Sequence, residues 1–334
     1  MATIKDVAAR AGVSQSTVYY ALSGKRPISQ EVRQRIAAAV AELDYTASSL
    51  GQRMRAGRSY SIGMIAPQLP TSDTAAMEML VSTAETASQA DYTLGIFMGQ
   101  TPSKVLRLLR NQFLDGLILV ETTHVDARIE ALRKTKYPFV MIGRTQNLEG
   151  LTTVDFDFEG AIFKAFEALV QLGHKTIGFV APNATEDLNV ENWFHIQRGF
   201  ERARERYCFE AVVEKTRLTI EGGYTATEKL LETEPRITAI VASGNTFTGI
   251  LRSLYSRRIR VPDECSLVGI ATAQVAEWTI PKLTSVDIPL REMSKIATQL
   301  LLHKLAGKDI QEQIIMPAQL VVRETIAPPS AKLR

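Results

Sequence analysis

The sequence predicts a small N-terminal all-α helix-turn-helix head followed by an α/β core of two lobes, each built on a doubly wound parallel sheet. Three observations predict it. The first 45 residues hold three capped, amphipathic segments; from about residue 60, short apolar runs alternate with helical stretches; and near residue 176 that alternation starts again. A chain of 334 residues with 45% apolar content has room for more than one core, since single domains commonly hold about 100 to 200 residues.

Thr3 followed three residues later by Asp6 is a capping pair, opening a helix with Ile4, Val7, Ala8 and Ala11 on one face, and Gly12 stops it. Ser14 caps a second helix, QSTVYYALS, ended by Gly24; Val18, Ala21 and Leu22 are expected inward and Gln15, Ser16, Tyr19 and Tyr20 outward. Ser29 caps a third helix through Val32, Ile36, Val40 and Leu43, which the small core of the first two requires. Charge is uneven: residues 1–60 carry nine Lys and Arg against four Asp and Glu, +5, while the whole chain is +3 and the remainder therefore −2. A basic head suits a polyanion, because Lys and Arg displace the counterions of phosphates, although charge alone fits a solvated surface equally well.

In a helix-turn-helix the second helix enters the major groove with its N-terminal residues over base edges. That assigns Gln15 and Ser16 to base readout, Gln being able to bond adenine N6 and N7 together while Ser is permissive. Thr3, Ser14, Thr17, Lys25 and Ser29 are expected as phosphate anchors, which fix register without reading sequence.

From residue 60 onward SIGMIAP (61–67), TLGIFM (93–98), GLILVE (116–121), PFVMIG (138–143) and TTVD (152–155) read as buried strands, with helices near 73–90, 102–113 and 126–134. The second series is TIGFVA (176–181), AVVEKT (211–216), ITAIVA (237–242) and SLVGIA (266–271), with helices near 191–206, 222–233, 245–256 and 290–306. The tail QIIMPAQLVVRETI reads as two strands, one returning to the first lobe.

The head resembles the lac repressor (LacI/GalR) family, whose pattern TIKDVAxxAGVSxxTVxxxL is almost fully present from Thr3 to Leu22. The core resembles the family's effector-binding domain, shared with periplasmic sugar-binding proteins, at IGMIAP, FLDGLIL, LGHKTIGFV, VPDECSLVGIA, IPKLTSVDIP and LVVRET. The resemblance implies a head over 1–45, a hinge over 46–59 and a periplasmic-binding-protein-like core over 60–330. In that core lobe one takes about 60–158 plus part of 290–326, and lobe two about 159–289. It further implies a homodimer on a pseudo-palindromic double-stranded DNA operator, controlled by a small effector between the lobes. The end of the chain, APPSAKLR, lacks heptad leucines, so no tetramer zipper is expected.

Departures from the family pattern locate what is particular to this chain. Tyr19-Tyr20 stands where relatives usually carry Arg, so a bidentate grip on guanine is replaced by a ring and one hydroxyl, and operator preference should differ. In the hinge, YTASSLGQRMRAGR keeps only the outline of YxPNxxARxLxxG: Ser48 replaces Asn, Gly51 replaces Ala, and Met54 holds the position of the minor-groove wedge. A plain linker is the other reading of this segment. In the expected pocket, Ile196 takes the position of an Arg, Ser243 and Gly244 that of Asn-Asp, and Ala271 stands at or beside that of an Asp, which removes the charged groups that grip sugar hydroxyls. Ser72, Asp73, Arg144, Asn192, Trp193, His195, Asn245, Thr272 and Gln274 remain near the expected cleft, an inventory that fits a neutral, carbohydrate-like effector; helix packing is the bland alternative for Trp193 and His195.

Other chemistry finds little support. No P-loop, Gly-rich fingerprint, HExxH or GxSxG occurs, and His124, His174, His195 and His303 are scattered without metal-ligand spacing, so neither an enzyme nor a cofactor is expected. His174 is expected to be structural, and Asp155 and Asp157 to serve as caps or at a lobe interface. Cys208 and Cys265, lacking a CxxC pair, are expected as packing residues. A solute-binding protein of a transport system shares such a core but requires export; MATIKDVAAR lacks an apolar signal core and no run is long enough to cross a bilayer, so a soluble cytoplasmic protein is expected.

Overall fold

The computed structural model describes residues 2–23, 26–44, 58–66, 74–183 and 190–330. Lys25, Ser48, Gly51, Met54, Ser72 and Asp73, and with them most of the expected hinge, lie outside the described residues. The chain divides into two compact units, Met1–Tyr60 and Ser61–Arg334.

In the first unit α1 (Ile4–Ala11), α2 (Gln15–Ser23) and α3 (Gln30–Glu42) surround a core of Val7, Ala8, Ala11, Val18, Ile36 and Ala39. The Thr3–Asp6 pair forms the full capping box: the Asp6 amide donates to Thr3 Oγ1 and the Thr3 amide to Asp6 Oδ2 at 2.8 Å. Gly12 is left-handed at φ +63°, and a Cβ there would lie 2.8 Å from Arg35 Nη2, which donates to the Ala11 carbonyl at 2.5 Å. The left-handed backbone is what requires glycine at the turn between the first two helices, and a side chain there would also push Arg35 from its bond. Leu22, expected inward, is 41% exposed. A core this small is filled by Val18 and Ala21, and Leu22 falls on a flank that α1 and α3 leave open.

The second unit holds two six-stranded sheets. Sheet one has the order β11-β5-β4-β3-β1-β2, from β1 (Ser61–Ala66), β2 (Thr93–Met98), β3 (Gly116–Leu119), β4 (Phe139–Ile142), β5 (Thr153–Phe156) and β11 (Gln313–Met316). Sheet two has the order β12-β10-β9-β8-β6-β7, from β6 (Thr176–Pro182), β7 (Glu210–Thr216), β8 (Ala239–Ser243), β9 (Ser266–Ala271), β10 (Thr284–Asp287) and β12 (Leu320–Val321). Every pairing is parallel except that of β12 with β10. Central strands such as β3 and β9 are buried along their whole length, as expected of parallel strands covered on both faces. β2 and β7, expected to be buried, instead alternate between exposed and half-buried residues because they close one edge of each sheet.

Lobe one carries α4 (Thr74–Ser88), α5 (Pro102–Arg110), α6 (Ala127–Arg133) and α12 (Leu290–Leu305), the last packed on α4, β3, β4 and β5. Lobe two carries α7 (Phe158–Gln171), α8 (Val190–Arg206), α9 (Ile220–Thr233), α10 (Thr246–Ser256) and α11 (Ala273–Trp278). The sequence reading assigns nothing to α7, α11 or β10. α7 is held to α8 and β6 by an aromatic cluster in which Phe166 lies 5.2–5.4 Å from Phe179, Phe200 and Phe209. Three passes of the chain join the lobes: β5 to α7, β10 to α12 and β11 to β12.

Two expectations about single residues resolve differently. Cys265 is buried, which pushes its thiol up to about 12, but Cys208 is exposed beyond the end of α8 and serves no core. His174 follows the left-handed Gly173 at the end of α7, with Nδ1 2.9 Å from Thr238 Oγ1 and Nε2 3.0 Å from the Ala327 carbonyl. It therefore ties the C-terminal tail to lobe two. Desolvation lowers its pKa below the ordinary histidine range, so the folded state favours the neutral ring. A depressed folded pKa gives stability that is present above the unfolded pKa, about 6.5, and is lost as pH falls below it. The thermal midpoint should accordingly drop more between about pH 7 and pH 5.5 for the parent than for His174→Gln, whose amide still donates to Ala327. Equal drops would show that His174 titrates freely.

Candidate functional site

In the head, Ser14 sits at the start of α2 with its Oγ accepting from the Thr17 amide at 3.1 Å and sharing hydrogen bonds with Ser16 Oγ (2.7 Å) and Thr17 Oγ1 (2.8 Å). This cap satisfies one orphan amide and sets α2 with Gln15 and Ser16 exposed at its N-terminal end. Tyr19 and Tyr20 are half-buried rather than fully outward, because their rings meet edge-on at 5.6 Å and Arg26 lies 5.0 Å over Tyr20. Tyr20 is thus a fixed platform under a cation. Ser29 precedes α3 without making a side-chain cap bond, so its exposed hydroxyl is not consumed by the helix. Thr3, by contrast, commits its hydroxyl to Asp6 at 2.7 Å.

In the core, groups at or just beyond the carboxyl ends of strands from both sheets meet between the lobes. Thr272, after β9, donates through Oγ1 to Glu78 on α4 at 2.7 Å. His124, after β3, packs 5.0 Å from Phe194 on α8. Asp155 of β5 feels the charge of His195 on α8. None of Glu78, His124 and Phe194 is an expected pocket residue, and all three touch a partner in the opposite lobe.

The expected residues fall into distinct settings. Arg144 is not free to meet a ligand anion: its Nε donates to Asp155 and its Nη2 to the Phe156 carbonyl at 3.2 Å. Burial pushes the Asp155 carboxyl up from its usual range, against the opposing pull of the Arg144 guanidinium. Asn192, Trp193, His195 and Ile196 occupy the first turns of α8; Ile196 is buried, and the Trp193 ring lies 5.2 Å from Phe194 with Lys215 Nζ 5.7 Å from its centroid. Asn245 precedes α10 without a side-chain cap bond, Ala271 ends β9, Thr272 precedes α11, and Gln274 on α11 is exposed. Ser243 Oγ is buried at the end of β8 with no hydrogen-bond partner among the described residues. Such a hydroxyl is stabilised by a polar ligand atom. Asp157 caps α7, accepting from the Gly160 amide at 2.8 Å. Among the described residues no group of three or more His, Cys, Asp and Glu is placed to hold a metal, and no helix is long and apolar enough to cross a membrane.

Comparison with known proteins adds to this geometry. Residues 3–48 match the model of bacterial regulatory proteins of the lacI family, and residues 166–326 that of a periplasmic binding protein-like domain. Catabolite control protein A of Priestia megaterium is 25% identical over 97% of this chain and 98% of its own length. The HTH-type transcriptional repressor PurR of Mannheimia succiniciproducens is 27% identical over 98% and 99%. Among solved structures, the lac repressor dimer bound to operator and the anti-inducer ONPF superposes with a TM-score of 0.83 at 23% identity, covering 98% of this chain and 99% of that one. The transcriptional regulator CelR in complex with cellobiose gives 0.70 at 24% identity, covering 97% and 100%.

The Arg144–Asp155 pair makes a sharp test of this arrangement, since both side chains are nearly inaccessible. Removing one partner of a buried pair costs about 3 to 5 kcal/mol, so Arg144→Leu should lower denaturant stability at pH 7 by that order. The stranded carboxylate is relieved by protonation. Its folded pKa then lies above the unfolded value, so the deficit should shrink as pH falls and grow as it rises. A small deficit that does not vary with pH would mean that Asp155 reaches solvent.

Proposed function

We propose that this chain, which belongs to the lacI family of bacterial regulatory proteins, is a transcriptional repressor that grips a pseudo-palindromic operator as a homodimer. A small neutral, carbohydrate-like effector held between its lobes controls it. The observation that carries the reading is the head: a three-helix unit whose second helix, capped by Ser14, presents Gln15 and Ser16 outward at its N-terminal end. Gln15 and Ser16 read base edges; Ser14, Thr17, Lys25 and Ser29 fix the phosphates, while Thr3, its donors held by Asp6, sets the helix that carries them; Tyr20 with Arg26 adds a rigid contact where relatives offer an arginine.

Dimerisation is favoured by apolar side chains that no part of the described chain covers. Met77 and Val81 on α4 and Ile96 and Met98 on β2 are 39–60% exposed, and in lobe two Tyr255, Trp278 and Ile280 are 62–93% exposed. Exposed apolar surface in both lobes is what an obligate partner would bury, and the lac repressor structure is a dimer on its operator. For the effector, Trp193, Phe194 and His124 supply faces for stacking, while Ser243, Asn245, Thr272 and Glu78 supply hydrogen bonds. The arginine and the buried aspartate neutralise each other, which disfavours a strongly charged effector. Cellobiose in CelR and the anti-inducer ONPF in the lac repressor are of the neutral kind we infer. This reading calls on no catalytic residue and no cofactor, and a DNA partner favours a cytoplasmic location.

Selection from randomised duplex DNA tests the reading. The parent should recover twofold-symmetric sites, and Gln15→Ala should lose about 1 to 3 kcal/mol of discrimination at one base position per half-site, whereas Lys25→Ala should weaken all sequences alike. Identical base preferences in parent and Gln15→Ala would remove Gln15 from base readout, and recovery of no symmetric site would overturn the operator reading itself.

A further inference from the structure

We propose that lobe one holds a second ligand site, a cavity for a phosphorylated small molecule, at the edge of its sheet opposite the cleft. A cavity of about 390 Å³ opens beside the N-terminal ends of β4 and β5, walled by the end of α6, the 149–152 segment and the last turn of α12. It lies at the amino ends of the same strands whose carboxyl ends face lobe two, so a ligand here is separate from the cleft ligand.

The wall carries four cations, Arg133, Lys136, Lys304 and Lys308, and one carboxylate, Glu149. Arg133 is held rigidly: Nη1 donates to the Glu149 carbonyl at 2.5 Å, Nη2 donates to the Asn147 carbonyl, and Nε lies 3.4 Å from Glu130. Lys136, Lys304 and Lys308 make no ion pair among the described residues. Lys304 is half-buried, and burial lowers its pKa from the usual lysine value, with only Asp309 pulling the other way.

Cations gathered around one concavity repel one another, and an anion seated between them relieves that repulsion. The carboxyl ends of α6 and α12 account for Arg133 and Lys304 in their last turns, but not for Lys136 in the α6–β4 loop and Lys308 beyond α12, which line the same cavity. The volume suits a molecule of sugar-phosphate size. Tyr137, Pro138 and Phe139 give it an apolar wall for the organic part, while Lys304 and Lys308 take the phosphoryl group. Arg133 and Lys304 are half-buried and only Lys136 and Lys308 are exposed, and cations set into a concave wall fit a small molecule better than the phosphates of a duplex, which are met by protruding side chains.

Calorimetric titration of the full-length protein with pyrophosphate, a hexose 6-phosphate and the unphosphorylated hexose tests the site. The two phosphate-bearing probes should bind saturably. Lys304→Gln with Lys308→Gln should weaken them at least about tenfold, Lys304→Arg with Lys308→Arg should keep them within about threefold, and Trp193→Ala should leave them unchanged. The thermal midpoint without ligand, compared across the variants, identifies any loss of binding that comes from misfolding. Failure of both probes to bind up to about 10 mM overturns the proposal, as does equal binding by the parent and the glutamine variant. A loss confined to the salt dependence of operator binding would assign the lysines to DNA instead and overturn it too. Operator selection by the head is unaffected by any of these outcomes, so failure here is distinct from failure of the regulatory reading.

Discussion

Each of the three passes of the chain between the lobes is gripped by a cation, and the rest of the core depends on that grip. At the first, Arg144 donates to Asp155 and to the Phe156 carbonyl, the last residues of β5 before the chain enters lobe two. At the second, Arg323 donates to Asp287 at 2.8 Å, the last residue of β10 before the chain returns. At the third, Lys164 donates to the Ala318 carbonyl at 2.8 Å between β11 and β12. Buried charge of this kind adds little net stability, because desolvation offsets much of the Coulomb gain. It is, however, strongly directional, and it fixes where the chain bends, leaving the lobes able to move as bodies about defined points.

That geometry explains why the cleft is built as it is. Parallel strands point their carboxyl ends the same way in each lobe, and the loops beyond those ends are the segments free to carry polar and aromatic groups. Direct contacts between described residues cross the gap. Thr272–Glu78 and His124–Phe194 are among them, and neither is strong enough to hold the lobes closed by itself. A ligand that adds contacts to both walls therefore shifts the balance between open and closed arrangements by its differential affinity for the two. Glu78 lies on α4, the same helix that carries the exposed Met77 and Val81.

The head was legible in the sequence because its determinants are local. Thr3 with Asp6, Ser14 and the left-handed Gly12 act within four residues of themselves, and the structure uses each as the spacing implies. Most strands were legible for a similar reason, being continuous apolar runs between turn signals. α7 was not assigned although its pattern is helical: Ala161, Ile162, Ala165, Phe166 and Leu169 recur at helical spacing, with Lys164, Glu167 and Gln171 on the other side, but the segment follows a strand with only Asp157 between them as a boundary signal. β10 has four residues and leads straight into Ile288 and Pro289, too short to stand out. The landmarks IPKLTSVDIP and LVVRET could be matched as patterns, but not the ion pair that Asp287 and Arg323 make across 36 residues. Glu78, His124 and Phe194 were missed because contacts across a cleft have no sequence period at all; they follow from how two separately folded lobes face each other.

If the separation of the lobes sets the affinity for DNA, fixing that separation should change the affinity without any ligand. Glu78→Cys with Thr272→Cys, in a Cys208→Ser background, can be joined across the cleft by a short bismaleimide, the buried Cys265 being inaccessible to reagent. Operator affinity is then compared before and after linking, with the singly substituted proteins as controls. The account predicts that linking alone changes the operator dissociation constant by about 5- to 150-fold, the usual range of an allosteric coupling, and that the linked protein no longer responds to cleft ligands. An unchanged dissociation constant in the fully linked protein would contradict it.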